Sequence, residues 1–227
     1  YFGLFFDPGT GKTRAVLEML LYKYHKRNRH VLPTLILCPP VVIHNWKREF
    51  LESTDICSDN IIPLVGPGTK RLATFKEANP ESIFISNYEI LSMPVYHEIS
   101  AWMIRSEQPV CMVLDEMHKI KDSSSKRARL VHAIAPHAHY RFGLTGTPIL
   151  NSLMDVFSQF LFLDLGERFG RNFFSFRMKY FRDRNKGMPS HKYFPDWVLL
   201  PGSTNKIKDE IAAVTMTADK KSCLDLP

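Results

Sequence analysis

A glycine-rich run that ends at Thr13 separates a short apolar segment from a stretch with helical periodicity. Gly9 and Gly11 would let backbone N–H groups approach phosphate oxygens closely, and a helix that begins near Thr13 would direct its positive end to the same place. Lys12 could reach the outer phosphates of a nucleotide, and the Thr13 hydroxyl could bind Mg²⁺. Phe6 stands where the usual phosphate-loop pattern has its first glycine, so a glycine-rich turn with an unrelated lysine is the alternative.

A second candidate is the acidic pair Asp115 and Glu116, which follows the apolar run Val110–Leu114. Asp115, at the carboxyl end of a parallel strand, is well placed to hold Mg²⁺ directly or through water, and Glu116 could orient and deprotonate an attacking water. Such a strand end and a phosphate loop lie at the same edge of a parallel sheet. An acidic pair after a strand is a common surface feature, but its occurrence together with Gly9–Thr13 favours catalysis.

A third candidate is the tight turn Gly143–Pro148, which again follows an apolar segment. The hydroxyls of Thr145 and Thr147 could sense the terminal phosphate of a nucleotide and transmit its state to another part of the molecule. Taken alone, this motif is better explained by a plain turn that ends a strand.

Short apolar runs alternate with amphipathic stretches along the first 165 residues, as in chains that form a parallel sheet. The predicted strands are Gly3–Phe6, Leu35–Cys38, Ile61–Val65, Ile83–Ser86, Val110–Leu114 and Arg141–Leu144. The predicted helices are Thr13–Arg29, Ile43–Leu51, Thr69–Ala78, Val95–Arg105 and Ser124–Ile134, the last capped by Ser123 or Ser124. This alternation predicts an α/β fold with a mostly parallel sheet and helices on both faces.

The pattern changes after Asp164. Gly166–Lys192, named here the basic segment, is rich in arginine and aromatic residues and is predicted to be helical and outside the sheet. It holds eight Lys and Arg against two Asp and Glu, whereas residues 1–165 hold 18 against 16. Arg177 and Arg182 are therefore candidates for contacts with nucleic-acid phosphates; the alternative is aromatic packing with solvated arginines. Two further elements are predicted: a loop at Asn185–Trp197 and a helix at Asn205–Val214.

Composition narrows the class of protein. The chain has 227 residues, of which 44% are hydrophobic and 23% charged, which is typical of globular domains and argues against a disordered or fibrous protein. No apolar run approaches the roughly 20 residues that span a bilayer, so a membrane protein is not expected. The net charge of +7 permits a polyanionic partner. Cys38 and Cys111 lie in apolar runs, which predicts buried thiols in a reducing compartment; Cys57 and Cys223 complete the set.

In this order, the motifs resemble the first RecA-like lobe of superfamily 2 helicases, and most closely the Swi/Snf-type DNA-translocating ATPases. The segments that carry the resemblance are Gly9–Thr13 (motif I), Leu35–Pro40 with Trp46 and Glu49 (motif Ia), Ile85–Glu89 with Leu91 (motif Ib), Asp115–Asp122 with Ser125 and Lys126 (motif II), and Leu144–Pro148 with Asn151 (motif III). The extension after motif II and the trailing asparagine favour the Swi/Snf type over other branches.

The resemblance implies a nucleic-acid-dependent ATP hydrolase. Catalysis is then expected from Lys12, Asp115 and Glu116, ATP binding from Gly9, Thr10, Gly11, Lys12, Thr13 and Arg14, and Mg²⁺ ligation from Thr13 and Asp115. Coupling between the nucleotide and the DNA is expected from His118, Thr145 and Thr147. Backbone contacts with duplex DNA are expected from Pro39, Pro40, Trp46, Ser86, Asn87 and Asn151, together with Arg177 and Arg182. For Trp46, packing in the core is the alternative.

The resemblance also implies parts that this sequence lacks. A second RecA-like lobe with arginine fingers and a glutamine motif that reads adenine are expected elsewhere in a longer protein, of which residues 1–165 form the ATP-binding lobe and residues 166–227 a helical, basic-aromatic extension. Met117 stands where alanine or glycine is commoner and is expected to crowd the turn. A cytoplasmic location in a bacterial or viral source is favoured, or a nuclear one in a eukaryote. The alternatives are another superfamily 2 ATPase that acts on RNA or single strands, a different P-loop NTPase, and a DNA scaffold without catalysis.

Overall fold

A computed structural model describes residues 1–146 and 152–219. The strands are β1 (Phe2–Phe6), β2 (Thr34–Cys38), β3 (Ile61–Pro63), β4 (Ile83–Asn87), β5 (Cys111–Asp115), β6 (Tyr140–Leu144), β7 (Phe181–Asp183), β8 (Trp197–Leu199) and β9 (Thr215–Ala218). The helices are α1 (Lys12–Lys26), α2 (Ile43–Ser53), α3 (Gly68–Glu77), α4 (Val95–Arg105), α5 (Lys126–Ile134), α6 (Val156–Asp164), α7 (Phe173–Tyr180) and α8 (Ser203–Ala212). All six predicted strands and all six predicted helices of the sequence pattern are present.

Within the described residues, seven strands form one sheet in the order β3-β4-β2-β5-β6-β1-β9, and every neighbouring pair is parallel. The fold is therefore the predicted α/β architecture. This order makes β5, β6 and β1 consecutive, so the loops that follow them meet at one end of the sheet. These loops, which carry the three predicted nucleotide motifs, are named here the phosphate edge.

Alternating side chains of the central strands enter two separate hydrophobic cores. On β2, Leu35 and Leu37 enter one core and Ile36 and Cys38 the other. Helices α1 and α2 cover the second core, whereas α3 to α8 contribute to the first. A strand that is buried on both faces needs an unbroken apolar sequence, which is why these strands read as continuous apolar runs.

The segment after residue 165 differs from the helical expectation. Within the basic segment, α7 is the one α-helix and Ser190–Lys192 forms a 3-10 turn. Strand β7, which follows α7, pairs antiparallel with β8, and β8 lies partly in the predicted loop. Farther on, β9 adds a parallel strand beside β1, with Gly3 opposite Thr215. The polar sequence of β9 did not predict a strand. An edge strand pairs through its backbone on one side only, so it does not need the apolar run by which the central strands were predicted. The division of the chain at residue 165 stays a prediction.

Smaller differences concern helix ends and thiols. Helix α1 ends at Lys26 rather than Arg29, because Asn28 and Arg29 adopt positive φ angles. Helix α5 is capped by Ser125, whose hydroxyl accepts the Ala128 N–H, and not by Ser123 or Ser124. The predicted burial of two thiols, Cys38 and Cys111, is confirmed, whereas Cys57 is exposed and Cys223 lies outside the described residues. No helix of the described ranges is long and apolar enough to cross a bilayer.

Candidate nucleotide site

The phosphate loop connects β1 directly to α1. Gly9 and Gly11 have φ angles of 86° and 91°, left-handed values that would strain any other residue, although no neighbouring atom would obstruct a Cβ there. The Thr10 hydroxyl and N–H both donate to the Asp7 carbonyl, at 2.7 and 3.2 Å, and close the turn. The loop therefore directs the N-terminus of α1, with its partial positive charge, into the phosphate edge.

Lys12 is held close to the end of β1, because its Nζ donates to the Phe6 carbonyl at 2.7 Å. A cavity of about 350 Å³ adjoins the loop. Its lining consists of Gly9, Gly11, Lys12, Thr13, Arg14 and Glu49. The Glu49 carboxyl comes from α2 and was noted in the sequence only as part of motif Ia; burial raises its pKa, and the nearby Asp115 adds to this effect. Arg14 also forms an exposed ion pair with Glu18 at 2.5 Å.

Asp115 ends β5 and is buried, with 8% of its surface exposed. Its two carboxylate oxygens accept hydrogen bonds from the Trp46 indole N–H and from the Glu116 backbone N–H, each at 3.0 Å. Burial raises the pKa of Asp115, and the Trp46 hydrogen bond opposes this shift. The carboxylate is therefore held in one orientation by donors from two elements.

Glu116 adopts a left-handed backbone conformation, with φ 52° and ψ 53°. Such a conformation is costly for a residue with a side chain and is concentrated at functional sites. Its carboxylate lies 3.2 Å from Nδ1 of His118, and this hydrogen bond is the main cause that lowers the pKa of Glu116. Glu116 is therefore ionised near neutral pH, as a base that accepts a proton from water must be.

His118 and Thr145 link the acidic pair to the strand that bears the phosphate loop. Nδ1 of His118 also lies 3.1 Å from the Thr145 hydroxyl. Thr145 is fully buried at the end of β6, and its N–H donates to the Leu4 carbonyl on β1. The predicted coupling residues His118 and Thr145 thus meet between Glu116 and β1, whereas Thr147 lies outside the described residues.

Met117 is accommodated by a glycine on the neighbouring strand. Its side chain is fully buried, and a Cβ added to Gly143 would lie 2.1 Å from its sulfur. The larger residue therefore fills space that Gly143 leaves empty, and the expected crowding of the turn is relieved on β6.

The side chains present suit a magnesium ion that is shared with phosphates. Thr13 and Asp115 offer oxygen donors, which Mg²⁺ prefers, and in nucleotide sites it is held by one or two carboxylates with water and phosphate oxygens. In the part of the chain that the structure describes, no three His, Cys, Asp or Glu side chains cluster as a protein-only metal site would require. This donor set fits Mg²⁺ bound together with a nucleotide.

The family model of the SNF2-related domain matches residues 3–192. The chain belongs to this family. The match includes every motif described above and the whole basic segment. SNF2-family ATPases are ATP hydrolases that bind ATP, so the described arrangement is that of an ATPase lobe.

Individual relatives cover most of the SNF2-related chain. TATA-binding protein-associated factor MOT1 of Saccharomyces cerevisiae is 32% identical over 167 residues, which is 69% of this chain and 8% of MOT1. Putative protein p41 of Acyrthosiphon pisum secondary endosymbiont phage 1 is 31% identical over 180 residues, 77% of this chain and 38% of p41. The chain thus spans much less than half the length of these curated relatives.

A solved structure supports the fold of the SNF2-related chain over its whole length. It is the Sulfolobus solfataricus SWI2/SNF2 ATPase core in complex with dsDNA, which matches 100% of this chain and 42% of its own with a TM-score of 0.68 and 24% identity. At this identity the likeness shows the RecA-like fold and does not assign roles to residues.

Some residues that the SNF2 resemblance placed on DNA are buried. Trp46 is 1% exposed and bonds to Asp115, and Ser86 is fully buried, where its hydroxyl donates to the Leu64 carbonyl. Neither side chain is exposed to a backbone phosphate in this arrangement, and the two DNA contacts stay predictions. Asn87 is partly exposed and accepts a hydrogen bond from the buried Arg71 at 2.6 Å.

Other predicted DNA contacts remain accessible. Pro39 is partly exposed and Pro40 exposed at the start of a 3-10 turn, Pro40–Val42, that leads into α2. Arg182 is exposed on β7. Asn151 lies outside the described residues.

Arg177 differs from Arg182, because aromatic rings surround it. Its guanidinium lies 4.0 Å from the ring centroid of Trp197 and 5.5 Å from that of Phe173. Its Nε is buried. Arg177 is therefore stacked on aromatic rings rather than solvated, and its contact with a phosphate stays a prediction.

Proposed function

We propose that this chain is the ATP-binding lobe of an ATP-dependent translocase that moves along duplex DNA. The observation that carries the proposal is the hydrogen-bonded connection from Glu116 through His118 and Thr145 to β1. It joins the base that would activate water to the strand that holds the phosphate loop. Such a connection gives hydrolysis a route by which the state of the terminal phosphate affects the rest of the lobe.

In the proposed reaction, the loop N–H groups and Lys12 bind the phosphates of ATP. Glu116 accepts a proton from the attacking water, which the lowered pKa of its carboxyl permits at neutral pH. Thr13 and Asp115 would hold Mg²⁺, which supplies positive charge to the phosphate oxygens. Breaking the bond to the terminal phosphate then alters what Thr145 and His118 contact.

Duplex DNA is proposed as the partner because the solved SWI2/SNF2 core that shares this fold was determined with dsDNA. The accessible turn Pro40–Val42 and the exposed Arg182 are surfaces of this chain that such a partner could contact. A contact with the phosphate backbone would not depend on base sequence, as movement along DNA requires. A second RecA-like lobe would complete the site, because an arginine finger can contribute roughly 10³-fold or more to the rate.

The test is ATP hydrolysis by the full-length protein, measured alone, with duplex DNA and with RNA. Stimulation by duplex DNA is expected. Stimulation by RNA alone would assign the protein to another helicase branch, and the absence of hydrolysis would favour a scaffold. Lys12→Ala should abolish nucleotide binding measured by calorimetry, whereas the control Lys26→Ala, at the other end of α1, should leave it intact. Unchanged affinity in Lys12→Ala would overturn the phosphate-loop assignment.

A further inference from the structure

The buried face of α2 contributes a hydrogen-bond donor to the acidic pair. Trp46 is 69 residues before Asp115, yet its indole N–H reaches the carboxylate at 3.0 Å. The other carboxylate oxygen accepts the Glu116 N–H, which lies on the same loop and moves with it. Trp46 is therefore the donor that fixes the Asp115 carboxylate relative to a different element of the fold, helix α2.

Packing holds the indole ring in place. Trp46 is 1% exposed and contacts Phe50 one turn farther along α2, with ring centroids 6.3 Å apart. Both rings belong to the core that α1 and α2 form against the sheet. The Tyr88 hydroxyl donates to the Asp115 carbonyl at 2.8 Å and anchors the end of the strand from the other core. With the backbone anchored, the direction of the Asp115 carboxylate depends on the indole.

We propose that Trp46 is a positioning residue, which holds the Asp115 carboxylate in the orientation that binds Mg²⁺ with the nucleotide. This inference rests on the proposed ATPase function and deepens it. Partners that orient a metal-binding carboxylate typically contribute 10- to 100-fold in metal affinity or activity. The indole is buried and its N–H is bonded to Asp115, so loss of the N–H is expected to act on the nucleotide through that carboxylate.

The hydrogen bond from Trp46 to Asp115 also connects the surface turn before α2 to the site. The turn Pro40–Val42 is continuous with α2, and Val41 is 83% exposed. Trp46 lies about one helical turn after Val42. A partner that displaces this turn would therefore displace the indole and, through it, the carboxylate.

The experiment replaces the indole N–H in the full-length protein. Trp46→Phe removes the donor, and substitution of Trp46 by benzothienylalanine, whose ring has sulfur in place of N–H, removes it without a change of shape. Trp102→Phe is the matched control, because its indole also donates a 3.0 Å bond, to the Pro80 carbonyl away from the site. The probes are ADP with and without Mg²⁺, measured by calorimetry, together with kcat, KM and the thermal midpoint.

Both Trp46 replacements are expected to lower the Mg²⁺-dependent gain in ADP affinity and kcat by about tenfold or more. Affinity without Mg²⁺ and the Trp102→Phe control should stay at the wild-type values. In an Asp115→Asn background, Trp46→Phe should cause no further loss of Mg²⁺-dependent affinity, because the carboxylate through which Trp46 acts has already been replaced.

An unchanged Mg²⁺-dependent gain in the benzothienylalanine protein would overturn the inference and leave the proposed function standing. Equal further losses in the Asp115→Asn background would also overturn it, since the indole would then act through another route. If the wild type bound no ADP under either condition, the proposed function would fail and this inference with it.

Discussion

The phosphate edge and the basic segment both contain many charged side chains, yet these side chains have different kinds of partners in the two regions. At the phosphate edge, side chains that are far apart in sequence bond to one another, as His118 does with Thr145. In the basic segment, Arg184 pairs with the nearby Asp196. Arg168 pairs with the nearby Asp164 and also donates to the distant Tyr1 hydroxyl. The first region is assembled by the topology of the sheet, and the second combines local pairing with a bond to the first residue of the chain.

The difference shows what a net charge can and cannot reveal. The basic segment accounts for most of the excess positive charge of the chain. Arg171 donates to the Leu165 carbonyl, and Arg177 is stacked on Trp197. An arginine that is already hydrogen-bonded or stacked contributes less to a phosphate contact than its formal charge suggests. Counting charges therefore overstates the surface available to DNA.

The largest expected effect tests whether the phosphate edge is the catalytic region. Glu116→Gln keeps the shape of the side chain but removes the base, so kcat for ATP hydrolysis should fall by about 10²-fold or more. Nucleotide affinity should change little, because Glu116 acts on water. Glu77→Gln, at the exposed end of α3, is the matched control. Steady-state hydrolysis by the full-length protein is the measurement, and near-normal turnover in Glu116→Gln would place the base elsewhere.

A second prediction concerns the packing behind that edge. Gly143→Ala places a methyl group against the Met117 sulfur and should lower the free energy of unfolding by about 1–3 kcal/mol. Met117→Ala alone should cost about 2–5 kcal/mol through the cavity it leaves. The double variant should lose less than the sum, because the smaller side chain makes room for the new methyl group. Denaturant unfolding gives the values, and strict additivity would contradict the contact.

The convergence of the motifs could be predicted from the sequence because parallel topology brings strand ends together. Residues 9–13, 115 and 145 each follow an apolar run, and any parallel sheet with helices on both faces places such positions at one end. The strand limits followed from the same apolar runs. What the sequence did not supply was the strand order, which depends on contacts between distant elements.

Hydrogen bonds between buried polar atoms could not be predicted from the sequence. Trp46 carries no sign that its N–H faces a carboxylate, and Ser86 none that its hydroxyl bonds to the Leu64 carbonyl. Motif position suggested a surface role for both, whereas their burial depends on how α2 and β4 pack. Glu49, which lines the nucleotide cavity, could have been predicted from the sequence. It lies three residues after Trp46 on a helix, and residues at this spacing are neighbours on the helix surface.

A third prediction separates Arg177 from Arg182, the two arginines of the basic segment that were predicted to contact DNA. Arg177→Glu should lower the free energy of unfolding by about 1–2 kcal/mol, because it removes a stacked cation from Trp197. Arg182→Glu should leave stability within about 0.5 kcal/mol and, if Arg182 contacts a phosphate, should reduce the salt dependence of duplex binding by about one ion. Unfolding curves and salt titrations of binding measure the two effects. A change in DNA binding for Arg177 without loss of stability would restore it as a phosphate contact.

The smallest expected effect concerns the boundary between α5 and the basic segment. His132 of α5 and Arg171 of the basic segment line one cavity of about 330 Å³. Nε2 of His132 lies 2.9 Å from the Ser158 carbonyl, and the Ser158 hydroxyl donates to the Ile120 carbonyl, close behind the acidic pair. Burial lowers the pKa of His132, so the folded protein favours the neutral ring.

The sign of the pH dependence follows from that shift. As pH falls below about 6.5, the unfolded chain takes up a proton that folded His132 resists, and the free energy of unfolding therefore decreases. His132→Gln can still donate to the Ser158 carbonyl but does not titrate, so its stability should decrease less between pH 7.5 and pH 5.5. The free energy of unfolding of both proteins is measured by denaturant unfolding at several pH values. Groups that titrate elsewhere contribute equally to both proteins, so they cancel in the difference. Parallel pH profiles would show that His132 is not buried as a neutral ring, and that the cavity between α5 and the basic segment is open to water.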